Sequence, residues 1–291
     1  MTLKKPNLFI VGKQKSGTTA IYDMLRQHPD IYMPGRKELG YFDKDNKKRD
    51  IKSKSKLMRY FKNSKNEKYL GEASAGYLDS KTAAKEIKKF NSNSKIIILL
   101  REPLEYLRSL YQHISLRGRE ERKLKDFLES KETLEKLKYS SQIKRYLKNF
   151  KNKNIKIILY EDFKKNNSKI FKEVCSFLDI DSNFKPKITK RNASRIKRKN
   201  IISRILARAP LYKTYLFIDK HFPLLIKNKI FSIGTKIMFK RKQISISPKL
   251  KIKLKKQIKP EVKKVNELLH KEGFLPKKRD LVKKWGYEEI K

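Results

Sequence analysis

The chain has 291 residues, with 76 lysines and arginines against 30 aspartates and glutamates, and its formal net charge is +46. That length suits one large α/β domain, and a single cysteine excludes an intramolecular disulfide. The basic residues are spread along the whole chain, so a biased composition explains much of their excess. A polyanionic donor or acceptor would explain a local part of it. Nonspecific adhesion to nucleic acid at low salt follows in either case, but no specific nucleic-acid partner is indicated.

The location of the protein is predicted from cysteine content and from apolar runs. The one cysteine, Cys175, is compatible with a reducing compartment and has the apolar sequence neighbours of a core thiol. Residues 1–6 lack the apolar segment of a signal peptide, and no later run approaches the length of a membrane span. We therefore expect a cytoplasmic protein.

The first predicted elements, in residues 7–28, are a buried strand, a glycine-bounded turn and a helix. Gly12 and Gly17 have the spacing of a P-loop, a turn in which backbone N–H groups at a helix N-terminus bind phosphate. The lysine lies inside the loop, at Lys15, and Thr18 stands where a nucleoside triphosphatase has its lysine. The turn therefore predicts a phosphate site of altered geometry. A strand-to-helix turn without a ligand is the alternative.

Loops and two further strands are predicted in the next part of the chain. We expect an extended loop over 30–43, a solvated helix and loops over 44–66, and a strand at 68–72 that leads to a helix near Ser80. Residues 95–100 form an apolar, β-branched strand, which is followed by Arg101 and by a helix beginning at Pro103. Because ligands of open α/β sheets collect at the carboxyl ends of the strands, Arg101 is a candidate site residue.

The following segments complete an alternation of strands and helices. Helices are predicted over 123–137, 140–150 and 168–178, with a strand at 155–160. This spacing predicts a three-layer α/β/α fold with a central parallel sheet. The segment 190–200 is strongly basic, and 201–240 forms either lid helices or a patch in peripheral contact with an anionic membrane. Helices are expected to begin at Ser247 and Pro248 and again after Pro260.

Four stretches, in this order, resemble the motifs of sulfotransferases that use 3′-phosphoadenosine 5′-phosphosulfate (PAPS). They are KSGTT at 15–19, KELGYFD at 37–43, GEASAGY at 71–77 and REPLEYLRSLYQH at 101–113. The resemblance is to the branch that includes bacterial enzymes and the heparan sulfate type. It implies the P-loop NTPase-like fold of that family, and in-line transfer of sulfonate to a hydroxyl, less often an amine, of a carbohydrate or glycolipid. The nucleotide product would be 3′-phosphoadenosine 5′-phosphate (PAP).

The resemblance also assigns a donor site. Its 5′-phosphosulfate loop would consist of Lys15, Ser16, Gly17, Thr18 and Thr19. Lys15 would also be catalytic, because it could stabilise the charge that develops on the leaving phosphate oxygen. Arg101 and Ser109 look like the pair that holds the 3′-phosphate, with a salt bridge to Glu102 or Glu105 as the alternative for the arginine. Arg195 and Arg198 lie where relatives close a basic loop over the donor.

The base and the acceptor site are assigned in the same way. Glu38 resembles the family's catalytic base, which accepts the proton of the attacking hydroxyl. A surface glutamate paired with Lys37 is the alternative, and His113 is a second candidate base. Tyr41 and Phe42 would form aromatic walls that exclude water from the substrate.

One motif departs from the family. Glu72 would either orient the acceptor hydroxyl or cap the next helix, but Ala73 stands where several heparan sulfate enzymes have a lysine. The acceptor therefore cannot be carried over from those relatives. We expect residues 1–291 to form a single domain, in which 1–180 make the α/β core with the donor site and 181–291 supply the basic loop, lid helices and C-terminal helices.

Two other functions compete with sulfonate transfer. A P-loop nucleotide or small-molecule kinase is disfavoured because no lysine follows Gly17, and a basic nucleic-acid-binding protein is disfavoured by the dispersed charge. No metal cofactor is predicted, since the four histidines lack the spacing of metal ligands.

Overall fold

The computed structural model describes residues 5–115, 119–187 and 244–288, together with the backbone of 196–197 and 239–240. The chain groups into two compact units. One comprises Met1–Leu110, Lys123–Thr189 and Ile246–Lys291, and the other comprises Tyr111–Arg122 and Lys190–Ser245. In the second unit a two-residue strand, Ile196–Lys197, pairs antiparallel with Phe239–Lys240. The candidate residues at the P-loop, Glu38, Glu72 and Arg101 all lie in the first unit.

A five-stranded parallel sheet forms the centre of the first unit. Its strands are β1 (Leu8–Gly12), β2 (Ile31–Tyr32), β3 (Tyr69–Ala73), β4 (Lys95–Leu100) and β5 (Ile155–Leu159). Their order across the sheet is β2-β3-β1-β4-β5, so β1 lies in the middle and its carboxyl end faces neighbours on both sides. Both faces of the central strands are apolar, as parallel sheets covered by helices require.

Helices connect these strands. Their bounds are α1 (Thr18–Leu25), α2 (Lys54–Met58), α3 (Ala83–Phe90), α4 (Pro103–Ser115), α5 (Leu124–Glu129), α6 (Lys131–Glu135), α7 (Tyr139–Asn149), α8 (Tyr160–Lys165), α9 (Asn167–Leu178), α10 (Pro248–Lys271) and α11 (Leu281–Lys284). Within the part of the chain described here, no helix combines the length and the apolar character needed to cross a membrane.

The helices cover the sheet on two faces. Leu8 and Ile10 of β1 join a core cluster with Ile21 of α1 and Val174 of α9. Successive side chains of a strand point to opposite faces, so Phe9 lies on the other side of the sheet. There its ring lies 5.3 Å from that of Phe42, which in turn lies 5.1 Å from the ring of Phe90 in α3. The predicted layered arrangement is thereby confirmed.

The sequence prediction was wrong at three places. The predicted loop 30–43 contains β2, whose two residues pair with Tyr69 and Leu70 and are too few to give a strand signal. The predicted helix 123–137 is split at Ser130, whose backbone is extended and whose hydroxyl accepts a hydrogen bond from the backbone N–H of Thr133 at the start of α6. Pro260 does not begin a new helix, because α10 runs through it continuously.

The C-terminal residues anchor α11 to the carboxyl edge of the sheet. The indole N–H of Trp285 donates to Glu161 Oε2 at 3.1 Å, and Glu161 Oε1 accepts from the backbone N–H of Glu102 at 3.0 Å. The hydroxyl of Tyr287 donates to the buried carboxylate of Glu102, whose oxygens also accept from the first N–H groups of α4. Hydrogen bonds from Trp285 and Tyr287 therefore hold Glu161 and Glu102, and through Glu102 they stabilise the segment that carries Arg101.

A side chain at Gly12 is expected to destabilise the fold. Gly12 ends β1 with a φ of 153°, and a Cβ there would lie 2.4 Å from the backbone oxygen of Leu99. We expect Gly12→Ala to lower the free energy of unfolding by about 3 kcal/mol or more, because the clash is with backbone that cannot move without breaking the β1–β4 ladder. Urea unfolding followed by circular dichroism measures this.

The matched control is Gly35→Ala, because no atom of the described residues lies within 4 Å of a Cβ at Gly35. That variant should unfold at nearly the same urea concentration as the unmodified chain. An equal and small effect of both substitutions would contradict the close approach at Gly12.

Candidate active site

The turn between β1 and α1 brings the predicted phosphate loop to the middle of the sheet. Gly17 is the N-cap of α1 with a φ of 90°, and Lys15 also has a positive φ, of 65°. A Cβ at Gly17 would lie 3.2 Å from the Phe163 ring and 3.3 Å from the Tyr160 ring, so the loop passes closely beneath α8. Because glycine supplies no capping side chain, the first turn of α1 presents its backbone N–H groups and the positive end of its dipole to an anion.

Arg101 lies against this loop. Its guanidinium donates to the backbone oxygen of Lys15 at 2.7 Å and stacks over the ring of Tyr160, with 4.5 Å from Cζ to the ring centroid. It also lies 3.8 Å from Glu105, so the salt bridge considered as its alternative role is present as well. These three contacts hold the side chain of Arg101 at the loop, so that its planar guanidinium is in position before any ligand binds.

Two buried polar atoms test whether these residues suit a phosphorylated donor. The hydroxyl of Ser16, on a fully buried residue, and Nε of Arg101 find no hydrogen-bond partner among the described residues. Buried polar atoms are normally paired, and phosphate oxygens would pair with both of these donors. The loop and Arg101 therefore fit the phosphate groups of PAPS.

Glu38 and Lys37 approach the loop from a different segment. The backbone N–H of Glu38 donates to the carbonyl of Ala73 at 2.9 Å, and its Oε2 accepts from the N–H of Ala75 at 3.0 Å. Its other carboxylate oxygen lies 3.1 Å from Nζ of Lys37. That ammonium also donates to the hydroxyl of Thr18, at 3.1 Å, and to that of Thr19, at 3.3 Å. One lysine therefore links the candidate base to the candidate donor loop.

Both interpretations of Glu38 from the sequence describe part of this arrangement. The pairing with Lys37 is present, and the half-exposed carboxylate is also within two hydrogen bonds of the loop. Sequence reasoning treated Lys37 only as the partner in a surface ion pair and so missed it as a site residue. The available signal was its position next to Glu38 in a segment with a family motif.

Glu72 lies beneath Glu38 and is buried. Its Oε1 accepts a hydrogen bond of 2.5 Å from the hydroxyl of Ser74, which in turn accepts from the backbone N–H of Gly40 at 3.2 Å. Burial raises the pKa of the Glu72 carboxyl from 4.5 to about 8; the hydrogen bond from Ser74 opposes this shift, and the nearby charge of Glu38 contributes to it. Glu72 is thus protonated at neutral pH and supports the loop that carries Glu38.

This burial predicts a pH dependence of stability. The folded state holds the Glu72 proton up to pH about 8, whereas the unfolded chain loses it above its ordinary pKa of 4.5. Stability contributed by this group is complete below pH 4.5 and is lost as pH rises through 8. We expect Glu72→Gln to become more stable than the unmodified chain over that window, by ~3 to 5 kcal/mol at its top, since one pKa unit is worth about 1.4 kcal/mol.

Urea titrations at several pH values between 4.5 and 8 would check this expectation. Glu267→Gln, at an exposed site on α10, provides the control and should leave the pH profile unchanged. A constant stability difference between Glu72→Gln and the unmodified chain across the window would mean that Glu72 is ionised in the fold.

The two aromatic residues predicted at the acceptor differ in exposure. Phe42 is 1% exposed and packs among Phe9, Tyr77 and Phe90, so it supports the loop from within the core. Tyr41 is partly exposed, and the ammonium of Lys44 lies 3.8 Å from its ring centroid. Phe42 therefore does not form an exposed wall as predicted, and it could affect an acceptor only by holding neighbouring residues such as Tyr41 in place.

The second lysine of the loop, Lys13, was not predicted as a distinct element of the site. It is fully buried, forms an ion pair with Asp79 and donates to the backbone oxygen of Lys136. Its ammonium lies 5.0 Å from the ring centroid of Tyr139 and 5.5 Å from that of Tyr106. Burial lowers the pKa of Lys13 to about 8, although Asp79 opposes this shift. Lys13 therefore anchors the loop from below rather than facing a ligand.

The remaining predicted residues are less completely described. Ser109 is 9% exposed on α4, two turns after Arg101, whereas Arg195 and Arg198 lie outside the described residues. His113 belongs to the second compact unit. Across 5–115, 119–187 and 244–288, no cluster of three or more His, Cys, Asp or Glu is placed to hold a metal ion.

Several known proteins are similar to this chain in sequence. A family model for the sulfotransferase domain matches residues 5–205. The membrane-associated sulfotransferase kil1 of Dictyostelium discoideum is 34% identical over 108 residues, which is 37% of this chain and 22% of that protein. The bifunctional heparan sulfate N-deacetylase/N-sulfotransferase 1 of Homo sapiens is 32% identical over 113 residues, or 37% of this chain and 13% of the relative. The chain thus aligns with about a fifth or less of the length of these relatives.

One solved structure has the same fold. A sulfotransferase from Alicyclobacillus acidocaldarius superimposes with a TM-score of 0.69 and 24% identity, and the match covers 92% of this chain and 96% of that one. The family resemblance and the P-loop-like fold predicted from the motifs are confirmed by these matches. With the family model covering more than half of its residues, the chain belongs to the sulfotransferase domain family.

Proposed function

We propose that this chain transfers the sulfonate group of PAPS to a hydroxyl, or less often an amine, of a carbohydrate or glycolipid acceptor. The observation that carries the proposal is the meeting of Arg101, the Lys15 loop and Glu38 at the carboxyl edge of one parallel sheet. An anion site and a carboxylate base are both needed for this reaction.

The donor site rests on the phosphate chemistry of the loop. The first turn of α1 and the side chain of Lys15 would bind the 5′-phosphosulfate, and Arg101 with Ser109 would bind the 3′-phosphate. Ser16 and Arg101 contribute buried donors that these phosphates would satisfy. PAPS supplies an activated sulfonate, whose transfer leaves PAP.

The reaction needs a base and a stabilised leaving group. Glu38, whose carboxylate is half exposed and held by the backbone N–H of Ala75, is suited to accept the acceptor's proton. Lys15 would stabilise the charge that develops on the leaving phosphate oxygen, together with the backbone N–H groups of the turn. Lys15 has a positive φ, and its backbone carbonyl accepts a hydrogen bond from the guanidinium of Arg101.

The acceptor class rests on the chemistry of the transfer and on one relative. The human relative carries heparan sulfate in its name, and a carbohydrate acceptor with hydroxyl and amine groups suits the proposed chemistry. Tyr41 and Glu72 would line or support the acceptor site. We propose that the whole chain acts as one sulfotransferase domain. Its single, buried Cys175, whose pKa is raised to about 11 by burial, is in keeping with a cytoplasmic location.

A kinase function fits the site less well. Thr18 occupies the position after Gly17 where a triphosphate-binding lysine is needed, and its hydroxyl is bonded to Lys37. The contact with the Lys15 carbonyl holds the Arg101 guanidinium beside the loop. There it would provide a second phosphate site, which suits a nucleotide carrying a separate 3′-phosphate.

The proposal is tested by incubating the purified chain with radiolabelled PAPS and a panel of acceptors. The panel comprises desulfated heparan sulfate, chitosan oligosaccharides and a galactolipid, each analysed for covalently bound label. Label in one of these acceptors, together with release of PAP, is the expected result. Absence of label from all carbohydrate and glycolipid acceptors would overturn the acceptor class, and absence of PAP release would overturn the activity.

A further inference from the structure

We propose that Lys37 is a catalytic residue of the transfer step, and that its ammonium contacts the oxygens of the sulfonate group as the group moves. This inference rests on the proposed function and adds a residue that was predicted only as the partner of Glu38 in an ion pair. Lys37 is 16% exposed at its side chain and belongs to the loop after β2, not to the phosphate loop.

The contacts of Lys37 point to an anion. A lysine ammonium has three N–H donors, and in this structure three oxygens lie within 3.3 Å of Nζ. One is the Glu38 carboxylate, and the other two are the neutral hydroxyls of Thr18 and Thr19. Bonds from an ammonium to neutral hydroxyls are weaker than bonds to an anionic oxygen, in which donor and acceptor are both charged. Sulfonate oxygens at this place would therefore replace the hydroxyls as partners with a gain in energy.

The position of the two hydroxyls shows where that anion would lie. Thr18 and Thr19 are the first residues of α1, at the end of the helix that favours negative charge. Lys37 therefore reaches the same space as the loop, but from the side on which Glu38 stands. An acceptor hydroxyl that gives its proton to Glu38 must approach from this side, so Lys37 would lie beside the group being transferred.

The balance of charge during the step supports the same role. The bond from the acceptor oxygen to sulfur forms while the bond from sulfur to the phosphate oxygen breaks, and the electron pair leaves on that phosphate oxygen. The acceptor proton passes to the Glu38 carboxylate. As Glu38 becomes neutral, its attraction for Lys37 falls, and the full charge of the ammonium becomes available to the sulfonate oxygens. Lys37 keeps its proton throughout.

A role limited to holding Glu38 predicts different kinetics. A positioning lysine acts only through the carboxylate, so its removal would cost nothing further once the carboxylate is gone. A lysine that contacts sulfonate would retain a separate effect. PAP carries no sulfonate group, so the affinity for PAP should depend little on Lys37 if the contact is made in the transfer step.

The test compares Lys37→Met, Lys37→Arg and Lys37→Met combined with Glu38→Gln, using radiolabelled PAPS and the best acceptor of the carbohydrate and glycolipid panel. We expect Lys37→Met to lower kcat by about a hundredfold, with PAP affinity by calorimetry within about threefold of the unmodified chain. Lys37→Arg should recover part of the loss. The double variant should turn over at least about tenfold more slowly than Glu38→Gln alone.

The matched control is Lys62→Met, which removes the same charge at an exposed site. Equal kcat in Lys37→Met and in this control would overturn the role of Lys37, as would a double variant no slower than Glu38→Gln. Circular dichroism of each variant establishes that the fold is retained. Failure of the unmodified chain to release PAP from PAPS is a separate result, because it would overturn the proposed function itself.

Discussion

Replacing Glu38 with glutamine is expected to lower kcat for sulfonate transfer by about 10²- to 10⁴-fold, the usual contribution of a general base. Glutamine keeps the shape of the side chain and can still accept from the backbone N–H of Ala75 through its amide oxygen. It cannot take the acceptor's proton. Because the Glu38 carboxylate lies outside the phosphate loop, the affinity for PAP should be unchanged, and calorimetry with PAP beside steady-state kinetics measures the two quantities separately.

The control for Glu38 is Glu267→Gln, the same chemical change at an exposed position on α10. Its kcat should match that of the unmodified chain. Full activity of Glu38→Gln would remove Glu38 as the base, and His113→Gln would then be the next variant to examine.

Replacing Lys15 with alanine is expected to lower kcat by about 10²- to 10³-fold, comparable to loss of a donor that stabilises charge in a transition state. The backbone oxygen of Lys15 remains to accept from Arg101, so the loop should keep its conformation. The side chain would no longer neutralise the leaving phosphate. Transfer from radiolabelled PAPS at saturating acceptor measures the loss.

Lys62→Ala is the control for this variant, since it removes an exposed lysine from a segment outside the site. A positive φ at position 15 is less favourable for alanine than for glycine, so Lys15→Gly is measured as well to separate strain from charge. Activity close to that of the unmodified chain in both Lys15 variants would exclude the proposed role of the lysine.

The fold could be predicted where apolar runs are long. Residues 95–100 gave a strand with the observed bounds because β4 is enclosed on both sides and five of its six side chains are buried. The strand β2 was missed because its pairing with Tyr69 depends on contacts distant in sequence. Pro260 was misread because its missing N–H and its ring cost less in α10 than the packing of that helix contributes, with Ile258 and Val262 buried on either side.

The site was predicted to the extent that its residues are local in sequence. The turn from Gly12 to Thr19 was predicted from its glycine spacing and its strand–loop–helix context, and Arg101 was a candidate because ligands collect at strand ends. The contact of Arg101 with the Lys15 carbonyl appears only in the structure. The contacts of Lys13 and Lys37 were not predicted, because one lysine among many in a basic chain is not distinguished by its sequence context. The partner of Lys13 lies 66 residues away, and the contacts of Lys37 depend on how the loop after β2 folds back on α1.

Burial in the folded chain determines the roles of Glu72 and Phe42, and the sequence does not show that burial. Glu72 belongs to a family motif, but only its burial in the folded chain raises the pKa of its carboxyl. Phe42 was expected at an acceptor because it adjoins Tyr41 and Glu38, whereas its ring packs in the core beside Phe9. In both cases, the packing of distant segments decides the chemistry.

Calorimetry can establish whether the loop and Arg101 bind a nucleotide with a 3′-phosphate. PAP is titrated into the unmodified chain and into Arg101→Ala, and ATP with magnesium is titrated in parallel. We predict saturable binding of PAP, weaker binding of ATP, and a loss of about tenfold to a hundredfold in PAP affinity for Arg101→Ala, since one charged hydrogen bond contributes about 1.5 to 3 kcal/mol. Tight binding of ATP with magnesium, without measurable binding of PAP, would mean that the loop and Arg101 do not form a site for a 3′-phosphorylated nucleotide.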